Sequence, residues 1–227
     1  NADRQGEQNS DTMIVMRVHP QTSSVSMLSL PRDLYVRLGG GFGPSAKLNS
    51  AFRPDDPELL FRTIEGNLGI TIDHYVSVDL AGFRKLVEAV DGIPMYIPRG
   101  IRDEESGLYA FQLGCVTLDP QQALGLARSR KMQNADGDRW VDERGDDYAR
   151  MRRQQELIRA AFKRAIGQGA RNPLVANDLL DVGLESVRID TKLTPGDLLA
   201  LASTFREFDP NAIQTLSLTT TEATNEA

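Results

Sequence analysis

The strongest constraint on how this chain folds is a long amphipathic segment that begins near Asp147 and ends near Gly167. At about 100° per residue, Leu157, Ile158, Ala161, Phe162 and Ala165 fall on one arc of a helix. Arg152, Glu156, Arg159 and Lys163 gather on the opposite side, as a solvated face should. Two residues break the pattern. Arg150 and Gln154 lie on the apolar arc, in the turns before Leu157 and Ile158, with Arg153 at its edge. Burying Arg and Gln is costly unless they are partnered, which leaves two readings. One is a structural Arg–Asp pair, with Asp33 or Asp147 as the carboxylate. The other is a cleft holding an anionic ligand, since the planar guanidinium fork matches phosphate oxygens.

Upstream, strand-like and helix-like segments alternate. Residues 12–18 and 24–30 are separated by the turn signal His19-Pro20-Gln21-Thr22 and predict a β-hairpin, with a further short strand over 34–38. A helix over 58–68 is closed by Gly69, and a strand over 72–78 follows. Residues 79–90 form an amphipathic helix capped by Asp79, with Leu80, Phe83, Leu86, Val87 and Val90 on one face. Strands are predicted over 93–97 and 114–118, a charged loop over 99–107, and a helix over 120–127 with Pro120 in its first turn. Residues 131–146 read as a surface loop rather than a lid. Their sequence position suits an acceptor wall beside the arginines, and Trp140 is a candidate ligand contact. Helices over 174–182 and 195–207 and a strand over 212–218 complete the order. This alternation with one early hairpin implies an α/β fold, a three-layer α-β-α sandwich with a mixed central sheet. Residues 1–217 read as a single domain, and 218–227 as a disordered tail.

Several functions are excluded or disfavoured. The formal net charge of −6 argues against a general nucleic-acid binder despite the arginines. No run of about 18 apolar residues is present to span a bilayer. Cys115, the single cysteine, allows no intrachain disulfide and reads as a buried apolar thiol. His19 and His74 have neither metal-ligand nor triad spacing. Residues 39–43 (GGGFG) lack the Gly-Lys-Ser/Thr close of a phosphate loop, and Pro44 removes a donor. What remains is a set of arginines and aspartates. Carboxylates suit Mg²⁺, and guanidinium groups suit the remaining charge of a pyrophosphate.

The pattern Arg128-Ser-Arg130, followed by Asp147, Arg150, Arg153 and Gln154, resembles the C-terminal signature of the LytR-CpsA-Psr family. Ser10-Asp11-Thr12-Met13, Ser29-Leu30-Pro31-Arg32-Asp33, Lys47-Leu48-Asn49 and Leu118-Asp119-Pro120 resemble its earlier motifs, and they run in family order. Each alone is weak; together they are specific.

The resemblance implies the same three-layer fold and a phosphotransferase that moves a glycopolymer from a polyprenyl pyrophosphate carrier to peptidoglycan. Teichoic acids, capsular polysaccharides and arabinogalactan are substrates of the family. It implies that Arg4, Arg32, Lys47, Arg128, Arg130, Arg150, Arg153 and Gln154 bind the pyrophosphate head group. Arg32, Asp33, Arg130 and Asp147 are then the catalytic candidates, and Asp3 and Asp11 the Mg²⁺ ligands, with Asn1 an alternative to Asp3. The general base stays open, because Arg32 should lower the pKa of Asp33 and make it a poor proton acceptor. Apolar faces around Phe61 and Phe83 wall a groove for the isoprenoid tail or form ordinary core. Family members are tethered by an N-terminal membrane helix with the catalytic domain outside the cytoplasmic membrane. The chain looks like an excised piece lacking that anchor and the first strand. A polyprenyl pyrophosphate hydrolase and a non-catalytic lipid-phosphate-binding module are the competing readings.

Overall fold

The computed structural model describes residues 12–53, 56–143, 147–170, 187–190, 193–194, 196–197 and 209–218. It is a mixed α/β structure with several small sheets. The chain divides into two compact units. The first comprises Asn1–Arg17, Ser26–Asp73 and Thr215–Ala227; the second comprises Val18–Val25 and His74–Gln214.

The early hairpin forms as its sequence predicts. β1 (Met13–His19) and β2 (Ser24–Leu30) are joined by a 3-10 turn over Pro20–Thr22, with Ser23 in the left-handed region at φ 46°. β3 (Tyr35–Arg37) and β4 (Ser45–Lys47) pair antiparallel, Val36 opposite Ala46. The glycine-rich connection between them has a packing reason. α1 (Glu58–Leu68) crosses it so closely that a Cβ on Gly66 would lie 2.3 Å from the Gly40 Cα. Only glycine at position 66 permits that approach, while Gly40 is required for a different reason, its backbone at φ 80°. Gly69 closes α1 in the left-handed conformation at φ 66°. Met13, Leu30, Val36, Leu48, Ala51, Leu60 and Ile64 make this unit's core. Leu218, assigned to the tail by sequence, packs against it, and Phe61 is half-buried.

In the second unit, β5 (Val76–Val78) is shorter than the predicted strand over 72–78, and it pairs antiparallel with the later segment Val187–Ile189. α2 (Leu80–Ala89) is capped by Asp79, whose carboxylate accepts the Gly82 N–H at 2.7 Å. β6 (Ile93–Ile97) and β9 (Gly114–Leu118) pair antiparallel. The register sets Cys115 opposite Tyr96, and both face outward, so the thiol is exposed rather than buried.

The charged segment 99–107 is not a plain loop. It contains β7 (Ile101–Asp103), which pairs with β8 (Leu108–Ala110). α3 (Pro120–Arg128) starts with a capping box, Asp119 accepting the Gln121 and Gln122 N–H groups and the Gln122 side chain returning to the Asp119 N–H. Gly125 lies where a Cβ would be 2.9 Å from the Leu108 Cα, which seats α3 on β8. Within the supposed surface loop 131–146, β10 (Gln133–Asp136) and β11 (Arg139–Asp142) form a hairpin. β10 also pairs with β7, giving an antiparallel sheet in the order β11-β10-β7-β8.

α4 (Asp147–Ala165) follows, continued by a π-helical turn over Ile166–Ala170. Arg152, Glu156 and Lys163 are exposed as expected. Arg159 is half-buried instead, donating to the Ile213 carbonyl at 3.1 Å. β12 (Val187–Ile189) and β13 (Ile213–Ser217) end the described elements, and β13 completes a three-stranded sheet in the order β1-β2-β13. The core of the second unit gathers Val87, Ile93, Ile101, Leu108, Leu118, Leu126 and Leu157, with Phe83 packed against it. The helix predicted over 174–182 and the tail beyond Leu218 lie outside the described residues, and of the helix predicted over 195–207 only Gly196 and Asp197 are described, both helical.

Candidate functional site

In the first unit, Pro31 ends β2, and the chain turns so that the Leu34 N–H reaches the Pro31 carbonyl at 3.0 Å. Two backbone bonds then lay the Lys47-Leu48-Asn49 segment beside this turn: Asn49 N–H to the Arg32 carbonyl (3.0 Å) and Leu48 N–H to the Leu34 carbonyl (2.8 Å). Two blocks about 15 residues apart in sequence are thereby brought together. Lys47 Nζ lies 2.7 Å from Asp33 Oδ1, and Arg32 Nε 3.2 Å from Asp33 Oδ2. The Lys47 hydrogen bond is the largest influence on Asp33; with the Arg32 and Lys47 charges it outweighs partial burial and holds the carboxyl below its usual range. Asp33 is therefore an ionised anchor for two cations at neutral pH, and a poor proton acceptor.

In the second unit the organising residue is one the sequence reading missed. Asp103, at the end of β7, is 2% exposed. Its Oδ2 accepts the Ser129 hydroxyl (2.7 Å) and the N–H groups of Lys131 (2.9 Å) and Arg130 (3.0 Å). Its Oδ1 accepts the N–H groups of Glu105 (3.0 Å) and Ser106 (3.3 Å). Burial pushes its pKa up, but the hydrogen bonds from Ser129, Lys131, Ser106 and Arg130 together pull harder and hold it below the usual value. One buried carboxylate thus fixes the backbone just after α3. Ser129 is fully buried, while Arg128 and Arg130 on either side of it are exposed. The available signal was parity: read as a strand, Ile101 and Asp103 share the inward face.

α4 fastens the same segment from the other side. Helix C-termini leave carbonyls without intrahelical partners. Gln154 Nε2 donates to the Ala127 carbonyl (2.8 Å) and Arg153 Nη2 to the Ser129 carbonyl (2.7 Å). Arg153 also pairs with Glu143 through Nη1. Arg150, 3% exposed, pairs with Asp147 at 3.1 Å, the structural arrangement that was one of the two readings of its position. Both Arg150 and Gln154 are buried on the apolar arc, where helical periodicity put them.

The structure therefore brings together Arg32, Asp33 and Lys47 in one unit, and Arg128, Arg130, Asp147, Arg150, Arg153 and Gln154 around the α3–α4 junction in the other. Asp3, Arg4 and Asp11 lie outside the described residues. Among the described residues, no group of three or more His, Cys, Asp or Glu side chains is placed to hold a metal ion, and no helix is long and apolar enough to cross a membrane.

Comparison with known proteins agrees with the motif order. Residues 2–227 match the LytR_cpsA_psr family. The sequence is 32% identical over 216 residues to the polyisoprenyl-teichoic acid–peptidoglycan teichoic acid transferase TagV of Bacillus subtilis (strain 168), covering 92% of this chain and 51% of that protein. Its fold is similar to a LytR-Csp2A-Psr enzyme from Actinomyces oris, with a TM-score of 0.80, 25% identity, and coverage of 96% and 79% of the two chains. It is also similar to the crystal structure of B. subtilis TagV, with a TM-score of 0.76, 29% identity, and coverage of 97% and 80%. The chain belongs to the LytR-CpsA-Psr family. It spans about half the length of the curated relatives it matches.

Proposed function

We propose that this chain is the catalytic part of a phosphotransferase that attaches a polyprenyl-pyrophosphate-linked glycopolymer, of the teichoic acid class, to peptidoglycan. The observation that carries this reading is the α3–α4 junction. Asp103, Arg153 and Gln154 immobilise the backbone between Arg128 and Arg130 and leave both guanidinium groups exposed. A fixed pair of exposed forks is what recognition of a dianionic head group needs. In this reading Arg128 and Arg130 contact phosphate oxygens, and Arg32 and Lys47 are assigned the same role by the family resemblance alone. Arg150, Arg153 and Gln154 act by positioning the segment, and Asp147 holds Arg150.

In the transfer, a peptidoglycan sugar hydroxyl attacks the phosphorus that carries the glycan. A new P–O bond forms as the bond to the lipid-side phosphate breaks, and the lipid leaves as its monophosphate, whose new terminal oxygen takes up the hydroxyl proton. Arg32 and Arg130 stabilise charge on the transferred and leaving phosphates. Asp33 keeps Arg32 and Lys47 in place rather than taking the hydroxyl proton.

Mg²⁺ belongs to this reading through Asp3 and Asp11, whose hard oxygens suit a hard cation; when bound it would neutralise phosphate charge. The three-layer α-β-α arrangement with a mixed central sheet, a location on the outer face of the cytoplasmic membrane, and an N-terminal anchor belong to it as well. The test is acceptor dependence. Given a polyprenyl-pyrophosphoryl glycan, Mg²⁺ and peptidoglycan oligomers, the protein should form a phosphodiester-linked adduct. Free sugar phosphate released at a rate indifferent to acceptor would replace the transferase with a hydrolase, and tight lipid binding without turnover would leave a binding module.

A further inference from the structure

The outward face of the β11-β10-β7-β8 sheet has no part in the head-group site, yet it is built with unusual care. Directly opposed residues of neighbouring strands share a face. The register aligns Asp142, Gln133, Arg102 and Tyr109 in one row across all four strands. The inward row beside it carries Ile101 and Ala110, which are core.

The polar part of the outward row is tied into a ladder. Arg102 Nε donates to Gln133 Oε1 and Gln133 Nε2 to Asp142 Oδ1, each at 2.8 Å. Next to it is a run of rings. Tyr109 meets Phe111 edge-on at 6.1 Å, Phe111 lies 5.8 Å from Trp140, and the Arg102 guanidinium sits 4.4 Å from the Trp140 ring centre. Gly100 lies beneath, where a Cβ would touch Ala135, Trp140 and Phe111 at 3.5–3.7 Å, so the rings sit directly on the strand. Trp140 is half-buried, but Phe111 is 57% exposed and Tyr109 46%.

A ring exposed to this degree gains little from folding. Exposed rings beside a pre-ordered row of amide, carboxylate and guanidinium groups suit a ligand with flat C–H faces edged by hydroxyls and amides. That is a sugar chain. Charge selects which one. The outward row carries one aspartate, Asp142, and one arginine, Arg102, so it offers no excess of positive charge to a phosphodiester polymer or a nucleic acid and suits an uncharged glycan.

We propose that the Tyr109–Phe111–Trp140 face is a docking platform for the acceptor, a β-linked N-acetylhexosamine strand. Phe111 and Tyr109 stack on the sugar rings, and Gln133 and Asp142 bond their hydroxyl and amide groups. The acceptor role rests on the transferase reading; the sugar site itself does not.

Trp140 is the chain's single tryptophan, so its fluorescence reports on the platform without a label. Titration with chitohexaose should give a saturable change. In Phe111→Ala/Tyr109→Ala the apparent Kd should rise at least tenfold with melting temperature unchanged, and poly(glycerol phosphate) should have no effect on the wild type. The proposal is overturned by no saturable response to chitohexaose, by an equal response in the double variant, or by saturation with poly(glycerol phosphate) instead. Binding of a short prenyl pyrophosphate to the same proteins separates the two readings. Prenyl binding without sugar binding removes only the platform. Sugar binding without prenyl binding keeps the platform and removes the transferase.

Discussion

Asp103→Asn is the substitution that most directly examines how the α3–α4 junction is held. The two side chains are nearly isosteric, so the change is one of hydrogen-bond chemistry. Asparagine offers one acceptor oxygen. Placed at the Oδ2 position, that oxygen keeps the bonds from Ser129, Arg130 and Lys131, but the amide nitrogen then faces the N–H groups of Glu105 and Ser106. Ser106 is buried, so its N–H loses its partner with little help from water, at a cost of about 1–3 kcal/mol. Asp103→Ala removes the acceptor for all five donors and should cost roughly 3–5 kcal/mol, a large share of the ~5–15 kcal/mol that stabilises a typical domain.

Urea denaturation at constant m-value measures both. Acid adds a second signature. The folded pKa of Asp103 is depressed, so its contribution is fully present above the unfolded carboxyl value of about 3.9 and is lost as pH falls through the lower folded value. Wild type should therefore lose more stability than Asp103→Asn as pH is lowered below about 5. An Asp103→Asn protein within about 0.5 kcal/mol of wild type, with the same acid slope, would refute the lock.

Gly66→Ala should destabilise the protein by about 1–3 kcal/mol in the same assay, because the new methyl meets the Gly40 backbone rather than a movable side chain. Gln154→Ala should cost about 1–2 kcal/mol by exposing the Ala127 carbonyl at the end of α3 to a poor environment, with prenyl pyrophosphate affinity falling as the junction loosens. Lys47→Met should move the Asp33 carboxyl pKa upward, as followed by NMR titration, since Lys47 is the main group holding it down. Asp11→Ala should abolish Mg²⁺-dependent turnover without changing prenyl pyrophosphate binding in chelator; turnover that persists in excess chelator would remove the metal from the account.

What was legible in the sequence was local. α1 and α2 came out within a residue because their ends are written in single residues, Gly69 and Asp79, and their faces repeat every three or four positions. The inward aim of Arg150 and Gln154 was readable for the same reason. What they hold was not, since the Ala127 carbonyl is 27 residues away and only the fold brings it near. β7 and the β10–β11 hairpin escaped because Gln133–Asp136 and Arg139–Asp142 have almost no apolar alternation. Their outward face is polar and aromatic, and their stability comes from pairing with a strand about 30 residues earlier. Asp103 was hidden by the same error. Cys115 was misread because its apolar neighbours suggested a core position, whereas strand parity turns it toward solvent opposite Tyr96.

The central claim is that rigidly held arginines bind a pyrophosphate head group. Calorimetric titration of a short, soluble prenyl pyrophosphate into wild type, Arg130→Lys and Arg32→Lys tests it most directly. Each substitution keeps the charge and loses the fork, so the account predicts a loss of at least ~1 kcal/mol in affinity, about fivefold in Kd, with melting temperature unchanged in the absence of ligand. Equal affinity in all three proteins, or variants that unfold while the folded fraction binds as wild type does, would contradict it.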